Sequence, residues 1–587
     1  MGSEMCIRDS HLAIKTRWIY FIHDLAFCID IASCLPDVRR INMKNKALAF
    51  AAAACSLAML LGGCGSSASK TAQTNNGKVI ITVNNTEPQN ELVPGNINEN
   101  AGARPAMLVN STLVTFDEKG NPVNEDAESV TPNADATQYT VKLKEGKKFS
   151  DGTPVTAESF TKAWSFVANA KNAQKCASFF QTIKGYDELQ KEGLKGDEQL
   201  SGLKVVDKNT FTVDLKQPDS VFPIKVGYLA FAPLPESFYK DPKAYGEKPV
   251  SSGPYLFKSW DHNRQIEVVK NPAYEGPRKA QNDGVTFKIY TDGNAAYRDV
   301  QSGNLDMTDN IPDTETSNFQ SDSTITAYNK PGSVILQFSI ASSLPHFDVK
   351  TEEGRLRRQA VSMSIDRKAI AEKVLNKTAA PANDFTSPKT PGYDPNLKGS
   401  EHLKFDAKKA KELWAKAEAI SKYDGPLTFT YNADNAVAKS VFDAVVNYVK
   451  NNLGVKAETT PIPTFQEFRD ACTKRKVKGA WRAGWMPDYP SPENYLTQQF
   501  ASVAADGNGS NDGDYKNPKF DELLTKATAS SDASEATKLY HQAGETLLED
   551  LPSVPLLYMN AKAVMNHNLK GFVMDWQNMP LYYQLHK

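Results

Sequence analysis

Apolar and polar residues alternate with a period of two in several short segments of the chain, a pattern typical of half-buried β-strands. The segment "QYTVKL" (138–143) shows it most simply, because polar residues separate Tyr139, Val141 and Leu143. We interpret six further segments as strands, at 78–83, 210–215, 264–269, 285–290, 334–340 and 427–431.

Helices are indicated where apolar residues recur at intervals of three and four. Thr156 is a candidate N-cap before a stripe that includes Trp164, and Asp406 precedes a stripe that includes Trp414. A third stripe runs through residues 536–547. Both tryptophans lie on apolar faces, so we expect them in the core rather than in a binding site. The mixture of strands and helices predicts an α/β architecture with at least two lobes.

The N-terminal region differs from the rest of the chain. Residues 43–63 place two lysines before an apolar run that ends in small residues, as in a secretory signal peptide. The ending "LGGC" resembles a bacterial lipobox, which implies an acylated Cys64 and a lipid anchor on the extracytoplasmic side of the cell membrane. Residues 64–77 are small and polar and predict a flexible tether. Residues 1–42 would precede the signal peptide, which could then not lead export, so we interpret them as an artefactual extension.

Composition and charge narrow the function classes. The formal net charge is −1, and the longest basic cluster is the short "TKRKVK" at 473–478, so a nucleic-acid partner is not expected. Of seven cysteines, Cys176 and Cys472 are the two that follow the N-terminal region, too few for a disulfide scaffold. The sequence leaves open whether they pair. No zinc-binding spacing surrounds them, and neither a metal nor a cofactor is expected.

Catalytic motifs are missing from the sequence. It contains no G-x-S-x-G elbow, no H-E-x-x-H, no G-x-G-x-x-G and no P-loop. His262, His346, His402 and His541 stand outside any motif context and are interpreted as surface or capping residues. A catalytic group assembled from distant positions stays open, since such groups are spatial rather than sequential.

Several motifs together resemble one protein family. The segment "YTVKLKEGKKFSDGTPVTAESFTKAWSFV" (139–167) is similar to the signature of bacterial extracellular solute-binding proteins of family 5. Further segments similar to landmarks of this family follow in order at 250–260, 271–274, 294–307, 357–370 and 551–558. The resemblance covers about residues 79–587.

The resemblance implies a type II periplasmic-binding-protein fold, in which two hinged lobes close on a ligand. A subdomain is expected as an insertion in the first lobe. The implied first lobe comprises 78–100, 221–344 and 555–587, the inserted subdomain 101–220, and the second lobe 345–554.

Within the family, the stretch "WRAGWMPDYPSP" looks most like the ligand-binding segment of the oligopeptide-binding proteins of ABC importers. The resemblance implies that the backbone of Gly484 and Met486 pairs with an extended peptide. It assigns Asp488 to the α-ammonium group of the peptide and Arg482 to its carboxylate. Trp485 is expected to flank a side-chain pocket.

Three further residues are assigned to the ligand site by the same resemblance. Tyr489 follows the implied anchor residue Asp488 directly, and Asn100 is expected on the opposite side of the cleft. Cys176 stands where the peptide binders have a cleft tyrosine, which is a departure from the family pattern. A bridge from Cys176 to Cys472 would restrain opening of the lobes, so we favour free thiols or slow redox pairing.

The implied function is capture of oligopeptides by a monomeric, lipid-anchored receptor that delivers them to an ABC permease, without catalysis. One alternative keeps the fold but binds dipeptides or another small solute. Alternatives of a different class are a surface peptidase or amidase, and an adhesin or chaperone-like surface protein.

Overall fold

The computed structural model of the protein describes residues 77–507 and 509–587. Cys64, the predicted signal peptide and the segment 1–42 lie outside the described residues. The described strands are β1 Ile80–Asn85, β2 Val114–Phe116, β3 Pro122–Asn124, β4 Ala127–Pro132, β5 Gln138–Leu143, β6 Leu203–Asp207, β7 Thr210–Asp214, β8 Tyr255–Asp261, β9 Gln265–Lys270, β10 Gly284–Ile289, β11 Met307–Thr308, β12 Thr326–Ile340, β13 Ala379–Pro381, β14 Leu427–Asn432, β15 Ala457–Ile462, β16 Ala480–Trp485 and β17 Ser553–Met565. The described α-helices are α1 Asn100–Val109, α2 Ala157–Ala168, α3 Phe222–Lys225, α4 Pro242–Glu247, α5 Gly293–Ser302, α6 Glu352–Met363, α7 Arg367–Ala369, α8 Ala407–Ile420, α9 Ala436–Leu453, α10 Phe465–Thr473, α11 Pro492–Phe500, α12 Pro518–Ala529 and α13 Ala533–Asp550.

Most strands join one large mixed sheet. Its order is β15-β14-β16-β12-β17-β11-β1-β10-β9-β8, and β13 pairs with β17 outside this path. The long strands β12 and β17 pair antiparallel in the middle of the sheet. A separate antiparallel sheet has the order β4-β5-β7-β6. Because helices are interspersed between the strands, the predicted α/β architecture is confirmed.

The seven strands predicted from alternation are all present. In β5 the side chains of Tyr139, Val141 and Leu143 are buried, as the alternation requires. One prediction was too short, since β12 begins at Thr326 rather than near residue 334. Pro331 and the glycine after it interrupt the alternating pattern, and the pairing of β12 with β17 shifts register there.

The predicted helix starts and core tryptophans are confirmed. The backbone N–H of Thr156 donates to Ser159 Oγ at 3.1 Å in a capping box at the start of α2. Asp406 caps α8 by accepting a hydrogen bond from the backbone N–H of Lys409 at 2.9 Å. Trp164 is 0% exposed and Trp414 is 6% exposed, so both pack in the interior.

Three large groups of buried apolar side chains stabilise the described residues. The first, which we name the subdomain core, extends from Val93 to Tyr245 and includes Trp164. The second, the lobe core, extends from Leu336 to Leu557 and includes Trp414. The third lies against β1, β9, β10 and the C-terminal residues. The exact lobe boundaries given above stay a prediction.

No helix in the described ranges combines the length and the apolar composition that crossing a bilayer requires. Within the same ranges, no group of three or more His, Cys, Asp or Glu side chains is arranged to hold a metal ion.

Candidate functional site

Strand β16 has an edge that is only partly paired. Along its first edge, all six residues from Ala480 to Trp485 pair antiparallel with β12. Along its second edge, β14 pairs with Ala480 and Trp481 and then diverges. Residues 482–485 therefore present a free edge, which has no partner strand among the described residues. A free edge of this kind offers backbone N–H and C=O groups to an incoming extended chain.

Prolines end β16 and shape the segment that follows. Pro487 and Pro490 lack a backbone N–H, so this segment cannot continue the ladder of hydrogen bonds. Helix α11 then starts at Pro492, where the missing N–H costs nothing, and Ser491 caps it by accepting from the backbone N–H of Glu493. We name residues 486–491 the anchor turn.

Asn494 holds the anchor turn in place from the first turn of α11. Its Oδ1 accepts hydrogen bonds from the backbone N–H of Asp488 at 3.1 Å and from Trp485 Nε1 at 2.8 Å. Its Nδ2 donates to Asp488 Oδ2 at 3.3 Å. The Asn494 side chain is buried, so these bonds fix the position of the carboxylate relative to the free edge.

The carboxylate of Asp488 has no positively charged partner within 4.0 Å among the described residues. Burial raises the pKa of Asp488, the hydrogen bond from Asn494 lowers it, and the nearby charge of Glu493 raises it further. The net shift is upward. A desolvated carboxylate with a raised pKa and no cation is suited to bind a positive group from outside the protein.

Asp488 lines a cavity of about 170 Å³, which we name the anchor cavity. Asn100 and Met486 line the same cavity, so the structure brings together three residues that the sequence assigned to the ligand site. The walls also include the aromatic side chains of Phe116, Tyr228, Trp576, Tyr582 and Tyr583.

A second cavity, of about 570 Å³, lies beside β16 and is named the strand cavity. It is lined by the predicted residues Arg482, Gly484, Trp485 and Met486. Polar side chains that the sequence reasoning missed complete it, among them Gln337, Arg469 and Asp512. Its volume is within the usual range for sites that bind small molecules.

Arg482 is a cation without a carboxylate partner within 4.0 Å in the described part of the chain. Its Nη1 donates to Asn432 Oδ1 at 3.2 Å. Burial lowers the pKa of Arg482, and Asp434 partly opposes this shift. The guanidinium can therefore meet a ligand carboxylate, to which it forms bidentate hydrogen bonds readily.

A third cavity, of about 370 Å³, has carboxamide side chains at half of its lining positions, including Asn84, Asn100 and Asn578. Met486 lines this cavity as well as the anchor and strand cavities, so all three meet at one residue. We refer to the three together as the cleft. Met486 is 41% exposed.

Two predicted site residues lie away from the cavity walls. Tyr489 is buried, and its hydroxyl donates to Glu493 Oε2 at 2.6 Å. Cys176 is buried in the subdomain core, where its thiol donates to the backbone carbonyl of Ile97 at 3.2 Å. Burial raises the pKa of Cys176 to about 11, with Tyr228 opposing and the Asp488 charge adding to the shift. Both assignments to ligand contact stay predictions.

The two cysteines do not pair. Both Cys176 and Cys472 are free and buried. Cys472 packs against Phe468 and Trp481, in a different apolar cluster from Cys176. The lobes are therefore not cross-linked by these residues.

Sequence reasoning missed several residues of the cleft. Asn494 had a signal, because it lies six positions after Asp488 and next to the prolines that shape the turn. Tyr228, Trp576 and Arg104 had no signal, since only the tertiary fold brings them to the anchor cavity.

The fold and a cleft with unpaired charges of both signs define a solute-binding protein. The family model described as bacterial extracellular solute-binding proteins, family 5 Middle, matches residues 121–507. The chain belongs to this family.

Relatives and solved structures agree with that conclusion. The chain is 27% identical over 530 residues to the oligopeptide-binding protein OppA of Bacillus subtilis, covering 87% of this chain and 93% of the relative. It is 30% identical over 469 residues to the periplasmic oligopeptide-binding protein OppA of Salmonella typhimurium, covering 77% and 82%. The unliganded open form of the periplasmic murein tripeptide binding protein MppA superposes with a TM-score of 0.76 at 23% identity, covering 87% and 97%. The fold is thus that of the type II periplasmic binding proteins.

Proposed function

We propose that this protein captures extended oligopeptides in the cleft and delivers them to the permease of an ABC importer. It acts as a monomer, held by a lipid anchor at Cys64 on the extracytoplasmic side of the membrane. The similarity to proteins named as oligopeptide-binding and dipeptide-binding supports a peptide as the ligand.

The chemistry of the cleft fits the features that all peptides share. A peptide backbone can add to the free edge of β16 through main-chain hydrogen bonds, which do not depend on side chains. Its α-ammonium group can meet Asp488, and its carboxylate can meet Arg482. A charge-assisted hydrogen bond of this kind contributes about 1.5–3 kcal/mol.

The observation that carries the proposal is the unpaired, desolvated carboxylate of Asp488 beside the free edge of β16. A ligand with a positive amine next to an extended backbone satisfies both features at once. Amine-free solutes lack the positive group, and a dipeptide offers fewer backbone groups to the free edge than a longer peptide does.

Calorimetric titration with tetra-alanine and N-acetyl-tetra-alanine tests this proposal. The reference is the Kd of the wild type for tetra-alanine. Acetylation of the peptide and the substitution Asp488→Asn are each expected to raise this Kd by about tenfold to about a hundredfold. The matched control is Asp424→Asn, which changes an exposed aspartate whose side chain forms no hydrogen bond or salt bridge in the described structure. Equal affinities of the wild type for the free and acetylated peptides would contradict the anchor role of Asp488.

Two further measurements separate the alternatives. Native mass spectrometry of the purified protein should show a ladder of bound peptides, whereas a dipeptide receptor would carry one narrow mass class. Tetra-alanine incubated with the protein should remain intact, because the proposal includes no catalytic step. Appearance of shorter products would favour a peptidase.

The proposed lipid anchor at Cys64 is tested in a separate experiment. Labelled palmitate should be incorporated into the wild type, and Cys64→Ser should abolish both incorporation and membrane retention. Unchanged retention of the variant would refute the lipid anchor while leaving the ligand proposal untouched.

A further inference from the structure

A buried charged cluster connects the subdomain core to the helix that holds the anchor turn. Lys225 lies at the end of α3, next to residues of the subdomain core. Its Nζ is 2.8 Å from Asp219 Oδ2 and 3.8 Å from Glu493 Oε2. Glu493 belongs to α11, whose apolar residues pack in the lobe core. We name Asp219, Lys225 and Glu493 the buried triad.

The surroundings of the triad are dry and specific. The side chains of Lys225, Asp219 and Glu493 are 13%, 4% and 5% exposed. Lys225 Nζ also lies 5.6 Å from the centre of the Tyr489 ring, and the Tyr489 hydroxyl donates to Glu493. Such enclosure makes the triad costly to disrupt, because an unpaired charge would remain buried.

Charge balance indicates that Lys225 stays protonated in the triad. Burial lowers the pKa of Lys225, but the charges of Asp219 and Glu493 outweigh this effect, so its net pKa is raised. Tyr139 and Tyr540 also face the triad, and the Tyr540 hydroxyl is buried without a hydrogen-bond partner in the described structure. One positive charge thus compensates two carboxylates that come from different parts of the fold.

A second contact joins the same two parts of the molecule. The backbone N–H of Ser220 donates to the backbone carbonyl of Thr528 at 2.7 Å. Ser220 directly follows Asp219, and Thr528 lies on α12. The triad is therefore part of an interface that joins the two cores.

Glu493 of the buried triad is next in sequence to Asn494, the residue that orients Asp488. Glu493 and Asn494 are adjacent in the first turn of α11. Asn494 bonds to the backbone and carboxylate of Asp488 and to the Trp485 indole, as described above. A shift of Glu493 would move Asn494 and, with it, the carboxylate that faces the anchor cavity.

We propose that Lys225 is a positioning residue that acts through Glu493 and Asn494 to aim the Asp488 carboxylate at the ligand's amine. This inference rests on the proposed function, because it assigns Lys225 a role in selecting a free amino terminus. Lys225 itself does not line any of the three cavities.

The test is the ratio of Kd values for N-acetyl-tetra-alanine and tetra-alanine, measured by calorimetry on the folded protein. Lys225→Met and Glu493→Gln should each lower this ratio by about tenfold, within the range for residues that share a network. The double variant should lower it no further than either single one. Lys225→Arg, which keeps the charge, should restore most of the ratio. The matched control is Lys216→Met, which removes a lysine from the exposed pair with Asp187.

The outcomes distinguish this inference from the proposed function. If the wild type does not prefer the free-amine peptide, the role of Asp488 in binding the ligand amine is refuted, and the positioning role of Lys225 is refuted as well. A wild-type preference that survives unchanged in Lys225→Met, or a loss of affinity for both peptides alike, would overturn only the positioning role. If Lys225→Met does not fold, Glu493→Gln and Lys225→Arg give the same decision, with thermal unfolding as the check on folding.

Discussion

The affinity for a free-amine peptide is expected to fall in acid, where Asp488 takes up a proton. The ligand amine has an ordinary pKa of about 7.7–8.0, so it stays protonated through this range. The group that changes is Asp488, whose pKa is raised by burial and by Glu493. Since the ammonium group binds the ionised carboxylate, protonation of Asp488 competes directly with the ligand.

The size of the effect follows from linkage. Below the raised pKa of Asp488, each ligand must displace one proton, so the Kd should rise about tenfold per pH unit, or about 1.4 kcal/mol. An ordinary aspartate, with a pKa of about 3.9, would show this loss only at lower pH. Above about pH 8 the amine itself loses its proton, so the profile should be bell-shaped.

Calorimetric titration of tetra-alanine between about pH 4 and about pH 9 measures this profile. Two controls should show no acid limb of the bell: the Asp488→Asn variant with tetra-alanine, and the wild type with N-acetyl-tetra-alanine. Proton release on binding can be measured by comparing buffers with different ionisation heats. On the acid side it should appear for the wild type with tetra-alanine and for neither control. A flat profile for the wild type, or an acid limb that persists in Asp488→Asn, would refute the pairing.

Three further predictions concern the rest of the cleft. A Cβ at Gly484 would lie 2.5 Å from the carbonyl oxygen of Ile335, so Gly484→Ala should destabilise the protein by about 1–3 kcal/mol in denaturant unfolding. The substitution should weaken the binding of free and acetylated peptides to the same extent. A loss of affinity for one of the two peptides alone would contradict a backbone role of Gly484. Arg482→Met should raise the Kd about tenfold or more for a peptide with a free carboxylate but hardly for its amide, and equal losses would contradict carboxylate recognition. Because burial raises the pKa of Cys176 to about 11 and that of Cys472 to about 12, iodoacetamide should modify both only after unfolding, and modification of the native protein would contradict their burial.

Local elements were predictable from the sequence because local physics decides them. The alternation in β5 and the N-cap at Thr156 depend on neighbours a few residues away, and both predictions were correct. The start of β12 was not predictable in this way. Its first residues pair with β17, more than 200 positions away, and that pairing tolerates the Pro331 interruption.

The candidate site shows the same division. The stretch from Arg482 to Asp488 carries its chemistry in consecutive residues, so it could be found from its composition and its family resemblance. The walls that face it could not, because Tyr228 and Trp576 reach the anchor cavity only through tertiary packing. Lys225 was missed for a further reason. An isolated lysine in a sequence is normally a solvated surface residue, and only its two buried carboxylate partners reveal another role.

The Asp488 carboxylate has no cationic partner among the described residues of the ligand-free protein, so its ionisation should reduce the stability of that state. A carboxyl group whose pKa is higher in the folded than in the unfolded state favours unfolding once it ionises, and this penalty is complete above the folded-state pKa. Asp488 has such a raised pKa, so Asp488→Asn should stabilise the ligand-free protein at pH 7. Below about pH 3.9 the carboxyl is neutral in both states, and the difference should vanish.

Denaturant unfolding at the two pH values measures this difference, with Asp424→Asn as the exposed control. Thermal unfolding is a weaker assay, because 1 kcal/mol corresponds to only about 1 °C in a body of roughly 500 residues. A variant that is less stable than the wild type at pH 7 would show that Asp488 serves the fold rather than a ligand. A gain at pH 7 that disappears in acid would instead identify a charge kept at a cost to stability, which is expected where binding rather than folding selects the residue.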